Sequence, residues 1–196
     1  MKITSVLALI AALGVAPGAV IAAETFDTQH GKIKVETVAE GMSSPWGIDF
    51  LPDGRMIVTE KAGYLRIVDK NGNRSEALPG VSRVGYVGQG GLLDVMLHPD
   101  FAQNRLLFLT FSEQSPDGRL YTAMMRGKLR ADDSQLDEVR VLFRQSPKVG
   151  GGRHFGSRVL VAPDGNLFVT LGDLGNRNLS QDLSGHVGKV VRLTID

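Results

Sequence analysis

Apolar positions along this chain fall into short runs bounded by Gly, Pro, Asp or Asn, and helical spacing is nowhere sustained. The recurring unit is strand–turn–strand. Gly47-Ile48-Asp49-Phe50-Leu51 leads into Pro52-Asp53-Gly54 and then Arg55-Met56-Ile57-Val58-Thr59. Arg158-Val159-Leu160-Val161-Ala162 leads in the same way into Pro163-Asp164-Gly165 and Asn166-Leu167-Phe168-Val169-Thr170. Proline presets φ, Asp bonds its own backbone and Gly accepts positive φ, so each Pro-Asp-Gly is predicted to close a hairpin. A middle copy has a longer connection: Leu92 to Leu97 precedes His98-Pro99-Asp100, and a strand resumes over Arg105 to Phe111. A further strand follows each outer copy, over Gly63 to Asp69 and Gly188 to Asp196, each with an Arg a few residues after its Gly.

The Pro anchors at 52, 99 and 163 are spaced near the repeat length of propeller blades. A blade is a small antiparallel sheet that cannot bury both faces alone, so blades stack radially. A β-sandwich also uses many short strands, but the internal copies favour a propeller. The expected fold is therefore all-β, with about three blades present. Rings of this kind need about four to eight blades, so the expectation is a partial propeller with a sheet face and edges left uncovered.

The first residues read differently. Met1-Lys2 is a positive start, Val6 to Val15 is uncharged and apolar, Pro17 and Gly18 break the run, and small residues lead to Ala22 and Ala23. That order is a secretory signal peptide over residues 1–23, with an uncleaved membrane anchor as the alternative. It leaves 24–196 as one exported domain, periplasmic or secreted. No later segment is apolar over the length of a bilayer, so no stable membrane insertion is expected. The chain has no Cys, so no disulfide supports the fold despite an oxidising destination. A formal net charge of +1, with both signs scattered, argues against a nucleic-acid partner.

Few groups suggest chemistry. No His pair stands at metal-ligand spacing, and no metal ligand is assigned. Gly88-Gln89-Gly90-Gly91 precedes a strand rather than a helix, which argues against a phosphate loop. His154 lies in the Gly-rich stretch Gly150 to Arg158, just before a strand, on a loop expected at the channel end of a blade. A neutral imidazole there is either an exposed loop residue or a proton acceptor. Asp173 follows the partner strand, so a hairpin over 158–171 returns both residues to one rim. A carboxylate beside the imidazole would fix its tautomer, and equally would cap a Gly-rich turn; the spacing leaves both readings open.

At these residues the sequence resembles the soluble aldose sugar and glucose dehydrogenases that depend on pyrroloquinoline quinone. The resemblance is carried in order by Pro45-Trp46-Gly47, Phe50 to Arg55, Val58-Thr59-Glu60, Gly88 to Val95, His98 to Phe101, His154-Phe155-Gly156-Ser157-Arg158, Leu171-Gly172-Asp173 and Gly188 to Arg192. It implies a six-bladed propeller with the quinone at one end of its channel. It also implies that His154 takes the proton of the sugar's anomeric hydroxyl while a hydride passes to the quinone, giving a lactone, with Asp173 paired to that base. By the same resemblance Gln89 and His154 contact the cofactor region, and Gln89, Arg153 and Asn178 face the sugar. Arg153 and Asn178 replace an acidic residue and a Gln of the glucose-oxidising branch, so sugar preference does not transfer. Calcium is implied as a second cofactor, its ligands coming from later blades outside this chain. The electron acceptor is unknown. Two other readings stand beside this one: a propeller hydrolase of lactonase type with a channel metal, and a non-catalytic exported binding propeller. Trp46, His98, His186, Arg66 and Arg192 are read as packing, turn or blade residues.

Overall fold

The computed structural model describes residues 23–81 and 83–195, so the predicted leader, apart from Ala23, lies outside the described residues. The chain divides into a unit ending at Val38 and a unit over Ala39–Asp196. The first contains one hairpin, β1 (Glu24–Thr28) with β2 (Gly31–Val35), exposed along both strands.

The second unit holds three antiparallel sheets, each made of consecutive strands in chain order. The first is β3 (Pro45–Phe50), β4 (Met56–Glu60) and β5 (Tyr64–Val68). The second is β6 (Leu92–Leu97), β7 (Leu106–Gln114), β8 (Leu120–Leu129) and β9 (Leu136–Arg144), with one helical turn, α1 (Phe101–Asn104), between β6 and β7. The third is β10 (Gly156–Val161), β11 (Leu167–Leu171) and β12 (Val190–Leu193). Their leading strands β3, β6 and β10 lie beside one another, the stacking of successive propeller blades.

The Pro-Asp-Gly turns close as expected. Gly54, at φ 86°, donates to the Leu51 carbonyl at 2.8 Å, and Gly165, at φ 79°, donates to Ala162 at 2.9 Å. The long middle connection is the α1 turn, so β7 starts at Leu106, one residue later than expected. The strands β1, β2, β8 and β9 were not anticipated. Another difference concerns Arg66 and Arg192. They sit in corresponding strands, but Arg66 lies opposite Val58 and Arg192 opposite Phe168. A one-residue offset puts them on opposite faces. Arg66 forms a buried ion pair with Glu60 at 3.0 Å, whereas Arg192 meets Asp164 at the surface at 2.9 Å.

Two apolar layers hold the sheets together. Ile57, Leu65 and Ile67 of the first sheet pack with Leu93, Val95, Leu107, Leu109 and Phe111 of the second. Phe108 and Met124 on the opposite face of the second pack with Val159, Leu167, Val169 and Leu171 of the third. Alternation along β7 therefore feeds both layers.

The leading strands share one irregularity. Each is bulged near its start, between Pro45 and Ile48, Leu92 and Val95, and Gly156 and Val159. A bulge frees a main-chain N–H from the ladder. In every sheet a threonine of the next strand accepts it: Gly47 N–H to Thr59 Oγ1 at 2.8 Å, Asp94 to Thr110 at 3.0 Å and Arg158 to Thr170 at 2.9 Å. The Thr59 hydroxyl then donates to the Leu93 carbonyl of the second sheet, and the Thr110 hydroxyl to Ser157 of the third at 2.7 Å. Carboxylates reinforce the seams: Asp49 accepts the Leu97 N–H at 2.7 Å, and Asp94 accepts Val159 N–H at 2.9 Å and the Arg158 guanidinium at 2.7 Å.

Candidate active site

The hairpin β10–β11 pairs Gly156 with Leu171, so the segments before 156 and after 171 leave from one rim. Main-chain bonds zip them together: Gly172 N–H to Phe155 O at 3.0 Å and Leu174 N–H to His154 O at 3.2 Å. The approach is so close that a Cβ on Gly172 would run into the His154 carbonyl oxygen. Only glycine is accommodated there. His154 itself takes φ 55°, a conformation non-glycine residues adopt only when the surroundings impose it.

The surroundings do so from both sides. Gln89 N–H donates to the Gly152 carbonyl at 2.7 Å, and the Gln89 side-chain oxygen accepts the His154 N–H at 2.8 Å. The Gly88 carbonyl in turn accepts from the Lys61 ammonium at 2.8 Å. From the second sheet, the Thr122 hydroxyl donates to Phe155 O at 2.9 Å, and Gln145, 1% exposed, accepts the Thr122 N–H and donates to Gly172 O, each at 3.2 Å. Thr122 and Gln145 thus hold the two loops at the carbonyls beside His154 and Asp173. The sequence reading missed this pair, and Lys61, because their contacts are made across sheets and no local motif marks them.

His154 Nδ1 lies 2.8 Å from Asp173 Oδ1. The imidazole is 53% exposed and the carboxylate 24%. A hydrogen bond from the Gly175 N–H at 2.8 Å and the bond to His154 hold the Asp173 carboxyl below its ordinary value against the opposing effect of burial, with lesser help from the charges of His154 and Arg153. Asp173 is then an acceptor at neutral pH, so Nδ1 carries the proton it shares with Asp173. Nε2 is left as a lone-pair acceptor on the exposed side of the ring. With its oxygen committed to the His154 N–H, the Gln89 side chain presents its NH₂ group away from that bond.

The other expected site residues are placed less closely. Arg153 lays its guanidinium against Gly175, where an added Cβ would lie 3.0 Å from Nε. Asn178 is exposed in the 3₁₀ turn Arg177–Gln181, and among the described residues no hydrogen bond ties it to His154, Asp173 or Gln89. Trp46 is half-buried against the first apolar layer, with the Arg158 guanidinium 4.8 Å from its ring centre. His98 accepts the Asp100 N–H at 3.0 Å within its turn. His186 accepts the Ser146 N–H at 3.1 Å and packs on Phe143. Among the described residues, no group of three or more His, Cys, Asp or Glu side chains converges as a metal site.

A family described as Glucose / Sorbosone dehydrogenase matches residues 42–196. The chain is 43% identical over 163 residues to the Escherichia coli protein named Aldose sugar dehydrogenase YliI, an alignment that covers 83% of this chain and 44% of that one. Among solved structures, the soluble aldose sugar dehydrogenase of Escherichia coli in its apo form superposes with a TM-score of 0.79 at 43% identity, covering 81% of this chain and 46% of that one. The aldose sugar dehydrogenase of Streptomyces coelicolor, in a form bound to pyrroloquinoline quinone, gives a TM-score of 0.73 at 30% identity, covering 92% of this chain and 50% of that one. The chain spans about half the length of the curated relatives it matches.

Proposed function

This chain belongs to the glucose/sorbosone dehydrogenase family, and from that premise we propose that it forms the His154-bearing part of an exported enzyme oxidising aldose sugars with pyrroloquinoline quinone. The observation that carries the reading is the 2.8 Å bond between His154 and Asp173 on an exposed rim. The quinone is supported by the Streptomyces coelicolor relative, solved in a form bound to it, and the sugar by the name of the Escherichia coli one. Export rests on the leader pattern over residues 1–23.

The rim suits a flat, anionic quinone. Gly88, Gly151, Gly152 and Gly175 leave main chain without side-chain bulk, the Lys61 and Arg153 cations lie in and beside these loops, and the Gln89 NH₂ group is available as a donor. Gln89 and His154 would border the cofactor, and Gln89 with Arg153 would meet sugar hydroxyls; Asn178 joins them only from the edge of the rim. When bound, the quinone supplies a two-electron acceptor for the hydride leaving the anomeric carbon, whose product is a lactone.

The chain's own contribution is proton transfer. His154 Nε2 takes the proton of the anomeric hydroxyl as the carbon–oxygen double bond develops. In the neutral ring Asp173 keeps the proton on Nδ1 and leaves Nε2 as the acceptor, and its charge stabilises the imidazolium that forms. Gln89 and the Gly172 contact fix the ring's base on both sides, which limits loss of geometry during transfer. Calcium, proposed from the resemblance alone, would take its ligands from later blades; among the described residues no group of three or more His, Cys, Asp or Glu side chains converges to hold it.

The test uses protein expressed from its complete coding sequence and supplied with pyrroloquinoline quinone and calcium. It should reduce an artificial electron acceptor when given aldoses. His154→Ala should lower turnover by about 10²–10⁴-fold while quinone binding, followed by its absorbance, persists. Unchanged turnover in that variant would remove His154 as the base.

A further inference from the structure

The two loops that carry His154 and Asp173 are closed on the second sheet by a ring of four hydrogen bonds. Gly172 N–H donates to Phe155 O at 3.0 Å, and the same carbonyl accepts the Thr122 hydroxyl at 2.9 Å. Thr122 N–H donates to Gln145 Oε1, and Gln145 Nε2 donates to Gly172 O, each at 3.2 Å. His154 immediately precedes Phe155, and Asp173 immediately follows Gly172, so the ring grips the two peptides from which the paired side chains spring. Thr122 and Gln145 are sealed from solvent, and in such a place water does not replace a lost partner. The Gln145 N–H continues the β8–β9 pairing to Thr122 O at 2.9 Å, which fixes the backbone from which the amide reaches out. Gly172 O also accepts the Gly188 N–H at 3.0 Å. The carbonyl is thus satisfied without Gln145, and what the amide adds is position.

We propose that Gln145 is a positioning residue for proton transfer: its amide, accepting from Thr122 and donating to Gly172, sets the Asp173 carboxylate at Nδ1 of His154 and thereby fixes the ring tautomer. This deepens the dehydrogenase reading above and rests on it for the reaction. On the His154 side, the Gln89 oxygen and the Leu174 N–H already restrain the main chain. On the Asp173 side, among the described residues, Gln145 is the one side chain bonded to the preceding peptide. A shift of the carboxylate by about 1 Å would carry the 2.8 Å bond to Nδ1 out of hydrogen-bonding reach. Nδ1 and Nε2 would then share the proton, and the acceptor nitrogen would be lost for part of the time. The other titratable groups on the elements that meet here have partners of their own. Arg144 and Tyr121 bond Glu113, Lys148 lies over the Tyr121 ring, His186 accepts the Ser146 N–H, and Arg153 lies against Gly175.

The test uses protein expressed from its complete coding sequence. Gln145→Met keeps the length of the side chain and removes both bonds. Aldose turnover with pyrroloquinoline quinone should fall about 10²-fold with KM little changed. Ring-nitrogen NMR shifts of His154, read without quinone or sugar, should move from the single tautomer with its proton on Nδ1 to a mixture. Gln145→Glu separates positioning from stability. As a carboxylic acid the new group accepts from Thr122 and donates to Gly172; as a carboxylate it only accepts, and it turns its charge on the Gly172 carbonyl. Burial should hold that carboxyl above its ordinary value. The ratio of Gln145→Glu to wild-type turnover should therefore lie near one at acid pH and fall toward the Gln145→Met level as pH rises. His154 and His186 are common to both proteins and cancel in the ratio. Wild-type turnover and a single tautomer in Gln145→Met overturn the proposal, and so does a Gln145→Glu ratio that is flat in pH. Should Gln145→Met fail to fold, that ratio carries the test. If the wild-type protein oxidises no aldose, the dehydrogenase reading falls, and the ring-nitrogen shifts alone decide the role of Gln145.

Discussion

At the scale of single residues, the site depends on which ring nitrogen of His154 carries the proton. Asp173 holds the answer because it can only accept. Asp173→Asn keeps the shape, but its amide can donate to Nδ1 and so favours the tautomer with the proton on Nε2, the wrong atom for a base. The expected result is a fall in turnover of about 10²–10⁴-fold with sugar KM and the far-ultraviolet spectrum little changed; retained turnover would show that Asp173 only caps its turn. That His154 and Asp173 share one rim was legible because they flank a predictable hairpin, whereas Gln89 entered only through the family resemblance. Thr122 and Gln145 were not legible. They reach the same loops from another sheet, at separations of 33 and 27 residues, and a buried polar pair leaves no periodic trace in sequence.

At the scale of elements, Pro-Asp-Gly named two hairpins almost to the residue, whereas β8 and β9 escaped notice. β8 is buried on both faces for most of its length, so apolar and small polar residues follow one another without alternation, and β9 mixes charges into its apolar positions. These strands are tied together by Glu113 on β7, which accepts from Tyr121 on β8 at 2.8 Å and from Arg144 on β9 at 2.5 and 3.1 Å. Burial alone would push the Glu113 carboxyl up, but the hydrogen bonds of Arg144 and Tyr121 and the charges of Arg144 and Arg83 outweigh it and hold it below its ordinary value. A depressed folded value means the stabilisation is fully present above the unfolded carboxylate value of about 4.3 and drains away as pH falls through the folded one. Urea midpoints should therefore drop on acidification below that range, and Glu113→Gln should be less stable at neutral pH with a flatter acid limb. Parallel acid limbs in the two proteins would mean that other carboxylates govern the transition.

At the scale of the whole molecule, the blade count and stacking were readable because the repeat places the same anchors in each sheet, yet what joins one sheet to the next was hidden inside those same strings. Val58-Thr59 and Val169-Thr170 read as strand residues of ordinary β-propensity. Only the paired bulges show why the hydroxyl is needed: each bulge leaves an N–H and a carbonyl outside the ladders, on neighbouring sheets, within reach of one side chain that both accepts and donates. Valine has the same shape and does neither. Thr59→Val and Thr110→Val should thus each strand two buried main-chain groups and destabilise the unit by about 1–3 kcal/mol. Thr59→Ser and Thr110→Ser should stay near wild type, because the lost methyl is a smaller matter than the two bonds retained. Equilibrium urea denaturation of the four variants decides it. If the valine variants match the serine ones, apolar packing alone carries the seams, and the repeated threonine is a consequence of strand composition rather than the fastening between blades.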